Sequence, residues 1–257
     1  MKKKTTGWFR FVKGMVRFFY GKVEVIGLEN LPEREAVLVG NHTQMNGPIC
    51  GELFLPENCY TWCAGQMMNF KEVPAYAFAD FWSQKPKWQQ PFFRMASYII
   101  APLAVFLFNH ARTIAVYRDM RIKSTFKESL KLLEAGGNLL IFPEKDEKHN
   151  NILYQFQENF VDIARLYEKK TGKPLTFVPM YIAPILRKMY IGKGIVFNRE
   201  NDAQEERKRI AGYLSEEITR MARELPRHKV VPYRNIPRKY YLTNKDITEV
   251  PHEKACR

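Results

Sequence analysis

Residues 36–48 read AVLVGNHTQMNGP. Ala36 to Gly40 is a short, continuously apolar run with two β-branched valines, ended by glycine, which is the pattern of a buried strand. A polar loop carrying Asn41, His42 and Gln44 follows at once, and Pro48 suits the first turn of a helix. Working outward, KVEVIG (22–27), TWCAG (61–65), TIAVYR (113–118), NLLIF (138–142), LTFVPMYI (175–182) and KGIVF (193–197) also read as strands. Helical spacing is found at 123–135, 155–171 and 202–225, the first closed by Gly136-Gly137 and the second by Gly172 and Pro174. Strands alternating with helices predict an α/β fold, a mostly parallel central sheet flanked by helices. In such sheets the ligand site lies beyond the carboxyl ends of the strands. Three strands end in conspicuous chemistry: Gly40 before Asn41-His42, Tyr117-Arg118-Asp119, and Phe142-Pro143-Glu144.

The chain has 257 residues, 46% apolar and 26% charged. That profile excludes a disordered chain and is enough for one large domain or two small ones. Cys50, Cys59, Cys63 and Cys256 form no CxxC pair, so neither a zinc site nor a disulfide framework is expected, and a reducing compartment fits. The net charge of +14 calls for a polyanionic partner, an anionic membrane or nucleic acid. Residues 1–22 carry seven cations and no acid, interleaved with aromatic side chains. Trp8, Phe11, Val12, Met15, Phe18 and Phe19 fall on one helical stripe, which predicts a basic amphipathic membrane-associating helix over 1–21. A core-facing helix with a solvated basic back is the alternative. The predicted organisation is that helix, an α/β domain over 22–225, and a basic, proline-punctuated C-terminal arm over 226–257.

Residues 95–108 (MASYIIAPLAVFLF) form the other strongly apolar segment. Fourteen residues are too few to span a hydrocarbon core of roughly 30 Å, and Pro102 interrupts them. A buried helix is expected, with a segment dipping into a membrane as the alternative. Basic groups gathered at the chain's two ends, without zinc, helix-turn-helix or RNA-recognition signatures, argue against nucleic acid as partner.

His42 is the default side chain for taking a proton from a hydroxyl near neutral pH. The surrounding VLVGNHTQMNGPI resembles the first motif of the lysophospholipid/glycerol-3-phosphate acyltransferase family. TIAVYRD resembles its second motif, LLIFPE its third, and FVPM (177–180), centred on Pro179, its fourth. The four occur in order over roughly residues 22–200. The resemblance implies that His42 is a general base on an acceptor hydroxyl or amine, which attacks the thioester of acyl-CoA or acyl-carrier protein. It places substrate-binding roles on Asn41, Arg118, Pro143, Glu144 and Lys145. No metal or resident cofactor is expected, because a thioester is already activated. The implied setting is the cytoplasmic face of a membrane, with the chain peripheral or monotopic and a lysophospholipid or lipid-like acceptor.

The departures are specific. Gly47 stands where the family has the aspartate that orients the imidazole and stabilises its cation. Asn46 or Gln44 can orient the ring but supply no charge, and Glu52, Glu72, Asp80 and Glu144 are the candidate replacements. Lys145-Asp146-Glu147 replaces the usual Gly-Thr-Arg, and Arg112 replaces a glycine. The alternative functions are a catalytically weakened lipid-binding or regulatory homologue and a basic nucleic-acid-binding protein.

Overall fold

Alternate residues of Ala36–Gly40 enter two different cores. Val37 and Val39 pack with Leu139, Ile141 and Phe177 on one side of the sheet, while Ala36 and Leu38 pack with Leu140, Val178 and Met180 on the other. All five residues are buried, which is why the run shows no polar alternation. The computed structural model describes residues 6–83 and 85–246.

In chain order the elements are α1 (Gly7–Tyr20), β1 (Glu24–Ile26), β2 (Ala36–Gly40), α2 (Asn46–Phe54) and β3 (Cys59–Ala64). Then come α3 (Val73–Ala77), α4 (Gln90–His110), β4 (Thr113–Val116), α5 (Ile122–Glu134) and β5 (Asn138–Ile141). A hairpin of β6 (Glu144–His149) and β7 (Tyr154–Phe156) precedes α6 (Asp162–Thr171). The chain closes with β8 (Thr176–Ala183), β9 (Lys188–Ile191), β10 (Ile195–Val196) and α7 (Ala203–Glu224).

The main sheet has the order β1-β9-β8-β2-β5-β3-β4, with β10 beside the start of β8. Strands β8, β2, β5, β3 and β4 are parallel to one another, and β9 returns antiparallel to β8. Helices α5, α6 and α7 cover one face through Leu132, Leu133, Ile163, Tyr167, Ile210, Leu214 and Ile218. Helix α2 covers the other face, with Cys50, and Leu55 just past its end, against Leu38 and Met180. The fold is therefore the expected mostly parallel sheet between helices, with an N-terminal amphipathic helix.

Several local expectations are corrected. Residues 155–171 are not one helix: Tyr154–Phe156 pairs with β6, a 3-10 turn follows, and the helix begins at Asp162. Phe156, Phe160, Ile163 and Tyr167 are all buried in one cluster, so their spacing does not distinguish a helix from a strand and a turn that feed the same core. Strand β9, between the expected strands at 175–182 and 193–197, has no counterpart in the sequence reading. The apolar segment at 95–108 belongs to a 21-residue helix in which Pro102 sits without ending it.

That helix is not buried. Ile99 is 70% exposed and Phe92, Met95, Tyr98 and Leu103 are exposed with it, while Ala101 and Ala104 face a small core with Met67, Val73 and Ala77. It is the one helix among the described residues long and apolar enough to cross a membrane by length and composition. Helix α1 is capped by the Thr6 hydroxyl and docks Phe9 against Phe106 and His110 of α4. Its Trp8, Phe11, Phe18 and Phe19 stay exposed. Lys2, Lys3 and Lys4 lie outside the described residues.

Residues 226–246 pack along the domain. The amide of buried Asn244 donates to Ala222 O, and its Oδ1 accepts from the His228 N–H. The His228 ring lies between Pro226 O and the Tyr181 hydroxyl, each at 2.8 Å. Residues 247–257 of the arm are outside the described part.

Candidate active site

The loop after β2 is fixed before it reaches His42. Asn41 is fully buried, and its side chain donates to Ile182 O at 3.0 Å and accepts from Ile182 N at 2.7 Å. This amide splints β2 to β8 at their carboxyl ends and uses both of its polar atoms on backbone. Thr43 and Gln44 then take left-handed conformations, with φ of 46° and 56°. Such residues are strained by about 1–3 kcal/mol each and persist only where neighbours hold them. Here Thr43 O accepts from the main chain and side chain of Asn46, His42 O accepts from Gly47 N, and the Gln44 amide donates to Arg234 O and the Tyr241 hydroxyl.

His42 is gripped at backbone and ring by different partners. Its N–H donates to Glu144 Oε1 at 2.5 Å, and Glu144 Oε2 accepts from the Tyr154 N–H at 2.9 Å. The imidazole stands edge-to-face against Phe142 (5.5 Å between centroids) and Tyr233 (5.2 Å). Nδ1 is buried and has no hydrogen-bond partner among the described residues. Burial alone pushes the imidazole down to about 4, because desolvation disfavours the cation.

None of the four candidate carboxylates meets Nδ1. Glu52 binds Lys13 and Arg112, and Glu72 binds Arg121 and Asn69. Asp80 acts on Tyr76 and Tyr233. Glu144 is buried and turned to backbone, and burial raises it to about 7 against the opposing pull of the two N–H groups it accepts from. The space at position 47 is taken as well: a Cβ there would lie 2.5 Å from His42 O and 3.0 Å from two atoms of the Phe142 ring.

The cations are distributed around this centre. Arg118 is exposed and makes no hydrogen bond or ion pair among the described residues, since Asp119 is held by Arg121 at 2.8 Å. Arg121 also lies over the Tyr117 ring. Burial pushes the Tyr76 hydroxyl up to about 12 and raises Tyr233, and in both cases Asp80 adds to the rise while Arg118 opposes it. Arg118 therefore shares an environment with the two tyrosines, one of which touches His42. Lys145 pairs with Glu147 at 3.1 Å on the exposed side of the β6–β7 hairpin. Pro143 is buried, and its carbonyl accepts from Gln157 N.

The sequence does not point to Tyr233 as a neighbour of His42, nor to Tyr154 and Tyr76 as neighbours of Tyr233. Tyr154 packs on Tyr233 at 5.8 Å and stacks on His149 at 4.9 Å. Tyr233 lies in the proline-punctuated stretch PYRNIP, where an aromatic ring is a weak signal at best. Among the described residues no group of His, Cys, Asp and Glu is arranged to hold a metal ion. The arrangement offers a neutral imidazole at a strand end, an unpaired guanidinium nearby, and exposed apolar helices on the same chain.

No protein-family model matches the chain, and no curated protein does. Among solved structures it is similar to the crystal structure of the 1-acyl-sn-glycerophosphate (LPA) acyltransferase PlsC from Thermotoga maritima. That likeness is 15% identity and a TM-score of 0.46, over 83% of this chain and 79% of the other. A likeness of that extent does not carry activity from one chain to the other.

Proposed function

We propose that this protein transfers a fatty acyl group from acyl-CoA or acyl-carrier protein to the hydroxyl or amine of a lysophospholipid or lipid-like acceptor at a membrane surface. The observation that carries this reading is His42 at the carboxyl end of β2, bonded through its backbone to the Phe142-Pro143-Glu144 bend that ends β5. His42 takes the acceptor's proton, the acceptor oxygen or nitrogen attacks the thioester carbonyl, the carbon–sulfur bond breaks, and the imidazolium returns its proton to the departing thiolate. A neutral imidazole is the form a general base needs, but the depressed basicity of this one weakens the proton transfer. Arg118, with no carboxylate partner among the described residues, suits an anionic acceptor head.

The membrane setting has its own support. Helix α1 carries no acidic residue, and none occurs between residues 81 and 118, while Trp8, Phe18, Phe19, Phe92, Tyr98 and Ile99 are exposed. The chain enters α4 from α3, which packs on it, and leaves it directly into β4 of the central sheet. Both ends of α4 thus belong to one domain, which favours a helix lying in the interface over one crossing it.

The bare Nδ1 favours a second reading, a lipid-binding relative without turnover. The two separate on vesicles of anionic phospholipid supplied with labelled acyl donor and lysophospholipids of differing head charge. Labelled product with a preference for anionic heads, reduced by Arg118→Ala, supports the first. Tight vesicle binding with no product from any acceptor supports the second.

A further inference from the structure

The geometry points to Tyr233, carried on the C-terminal arm, as the positioning residue that holds the His42 imidazole in place of the absent carboxylate. This inference rests on His42 being the reactive group.

No polar partner fixes the ring, because Nδ1 is buried and unpaired. Fixing the backbone through Glu144 and Gly47 leaves both side-chain torsions of His42 free to turn unless packing stops them. Packing on this ring comes from Phe142 and Tyr233, at interplanar angles of 79° and 68°. Edge-to-face pairs of this kind are directional, because ring edges and faces carry opposite partial charge. Phe142 also occupies the space that a side chain at position 47 would need, so the clamp and a carboxylate at 47 exclude one another.

Tyr233 is itself held on several sides. The Gln44 amide, two residues past His42, donates to the carbonyl of Arg234 and to the Tyr241 hydroxyl. Arg234 forms an ion pair with Asp146 of β6. Tyr154 of β7 packs against the Tyr233 ring. Nothing in a surface arm requires this many ties to one reactive loop. They make sense if the arm completes the site. The charged groups that bear on Tyr233 are Asp80, Arg118, Glu144 and Asp146, and none of them is bonded to its hydroxyl, so the ring rather than the hydroxyl is the working part.

The test compares the full-length wild type with Tyr233→Ala and Tyr233→Phe. The His42 ring is followed by NMR titration of isotope-labelled histidine, assigned with His42→Ala, alongside kcat and KM for labelled acyl-CoA. In wild type and Tyr233→Phe the ring should stay neutral well below pH 6. In Tyr233→Ala, more water should reach the half-buried ring and raise its midpoint by a pH unit or more. The kcat of that variant should fall about tenfold or more, as misplacement of a catalytic group does, with KM for the donor nearly unchanged. Restoration by phenylalanine separates positioning from mere folding, which circular dichroism of the alanine variant checks in parallel. An unchanged titration and kcat in Tyr233→Ala would overturn the inference, and so would a phenylalanine variant as impaired as the alanine one. If wild type shows no turnover yet Tyr233→Ala still shifts the ring's titration, the positioning stands and acyl transfer is what fails.

Discussion

The main-chain N–H of His42 lies 2.5 Å from Glu144 Oε1, while Nδ1 of the same histidine meets no partner among the described residues. A carboxylate thus reaches the histidine but braces its backbone and does not charge its ring. Tyr154 N–H closes the brace on the other oxygen, so Glu144 ties the His42 loop to the β6–β7 hairpin.

Buried Glu144 and half-buried His42 should titrate with opposite effects on stability. Glu144 is raised from 4.5 to about 7, so its contribution is fully present below about 4.5 and is lost as pH rises through 7. His42 is lowered from 6.5 to about 4, so its contribution is present above about 6.5 and is lost as pH falls through 4. Wild type should therefore change little in stability between pH 4.5 and 6.5. Urea unfolding of Glu144→Gln should show stability rising with pH across that window, and His42→Ala should show it falling. Parallel slopes in the two variants would contradict the assignment.

Gly47→Asp should not restore a missing dyad. Its Cβ would sit 2.5 Å from His42 O, a clash with backbone that no side-chain rotation relieves. Overpacking of this kind costs about 1–3 kcal/mol. We expect a lower melting temperature and no gain in turnover, and a more active, equally stable variant would show the site to be looser than described.

Asn41→Ala should be among the most damaging substitutions that leave His42 in place. It strands the buried N–H and C=O of Ile182, which at about 1–3 kcal/mol for each unpaired group predicts a loss of about 2–6 kcal/mol. Chemical denaturation measures it, and a loss under 1 kcal/mol would mean the splint is dispensable.

Vesicle flotation reads the exposed helices. Phe18→Ser with Phe19→Ser, or Tyr98→Ser with Ile99→Ser, should each reduce binding to anionic vesicles about tenfold or more, given roughly 1.5–3 kcal/mol for burying one large apolar side chain. Binding should also weaken as salt screens the basic face of α1. If only the α1 pair matters, α4 does not touch the membrane.

Much of the sheet is legible in the sequence because its strands are buried on both faces, and AVLVG or LLIF then has no polar residue to blur it. The strand ends bearing His42, Arg118 and Glu144 are legible for the same reason. The β6–β7 hairpin is not, since EKDEKH is polar throughout and only Glu144 turns inward. The exposure of α4 is also hidden, because composition does not say which apolar face a neighbour covers. Choosing among Glu52, Glu72, Asp80 and Glu144 requires knowing which cations and N–H groups hold each one. Tyr233 is brought to His42 by an arm anchored through Asn244 and His228, a long-range contact with no local periodicity to announce it.

The most direct measurement is turnover of labelled acyl donor to acylated lipid on anionic vesicles, by wild type and by His42→Ala at equal vesicle occupancy. A slow but real wild-type rate is predicted, falling about 10²–10⁴-fold when the imidazole is removed. Equal rates in the two proteins, or product from neither, would contradict the claim that this ring moves the acceptor's proton.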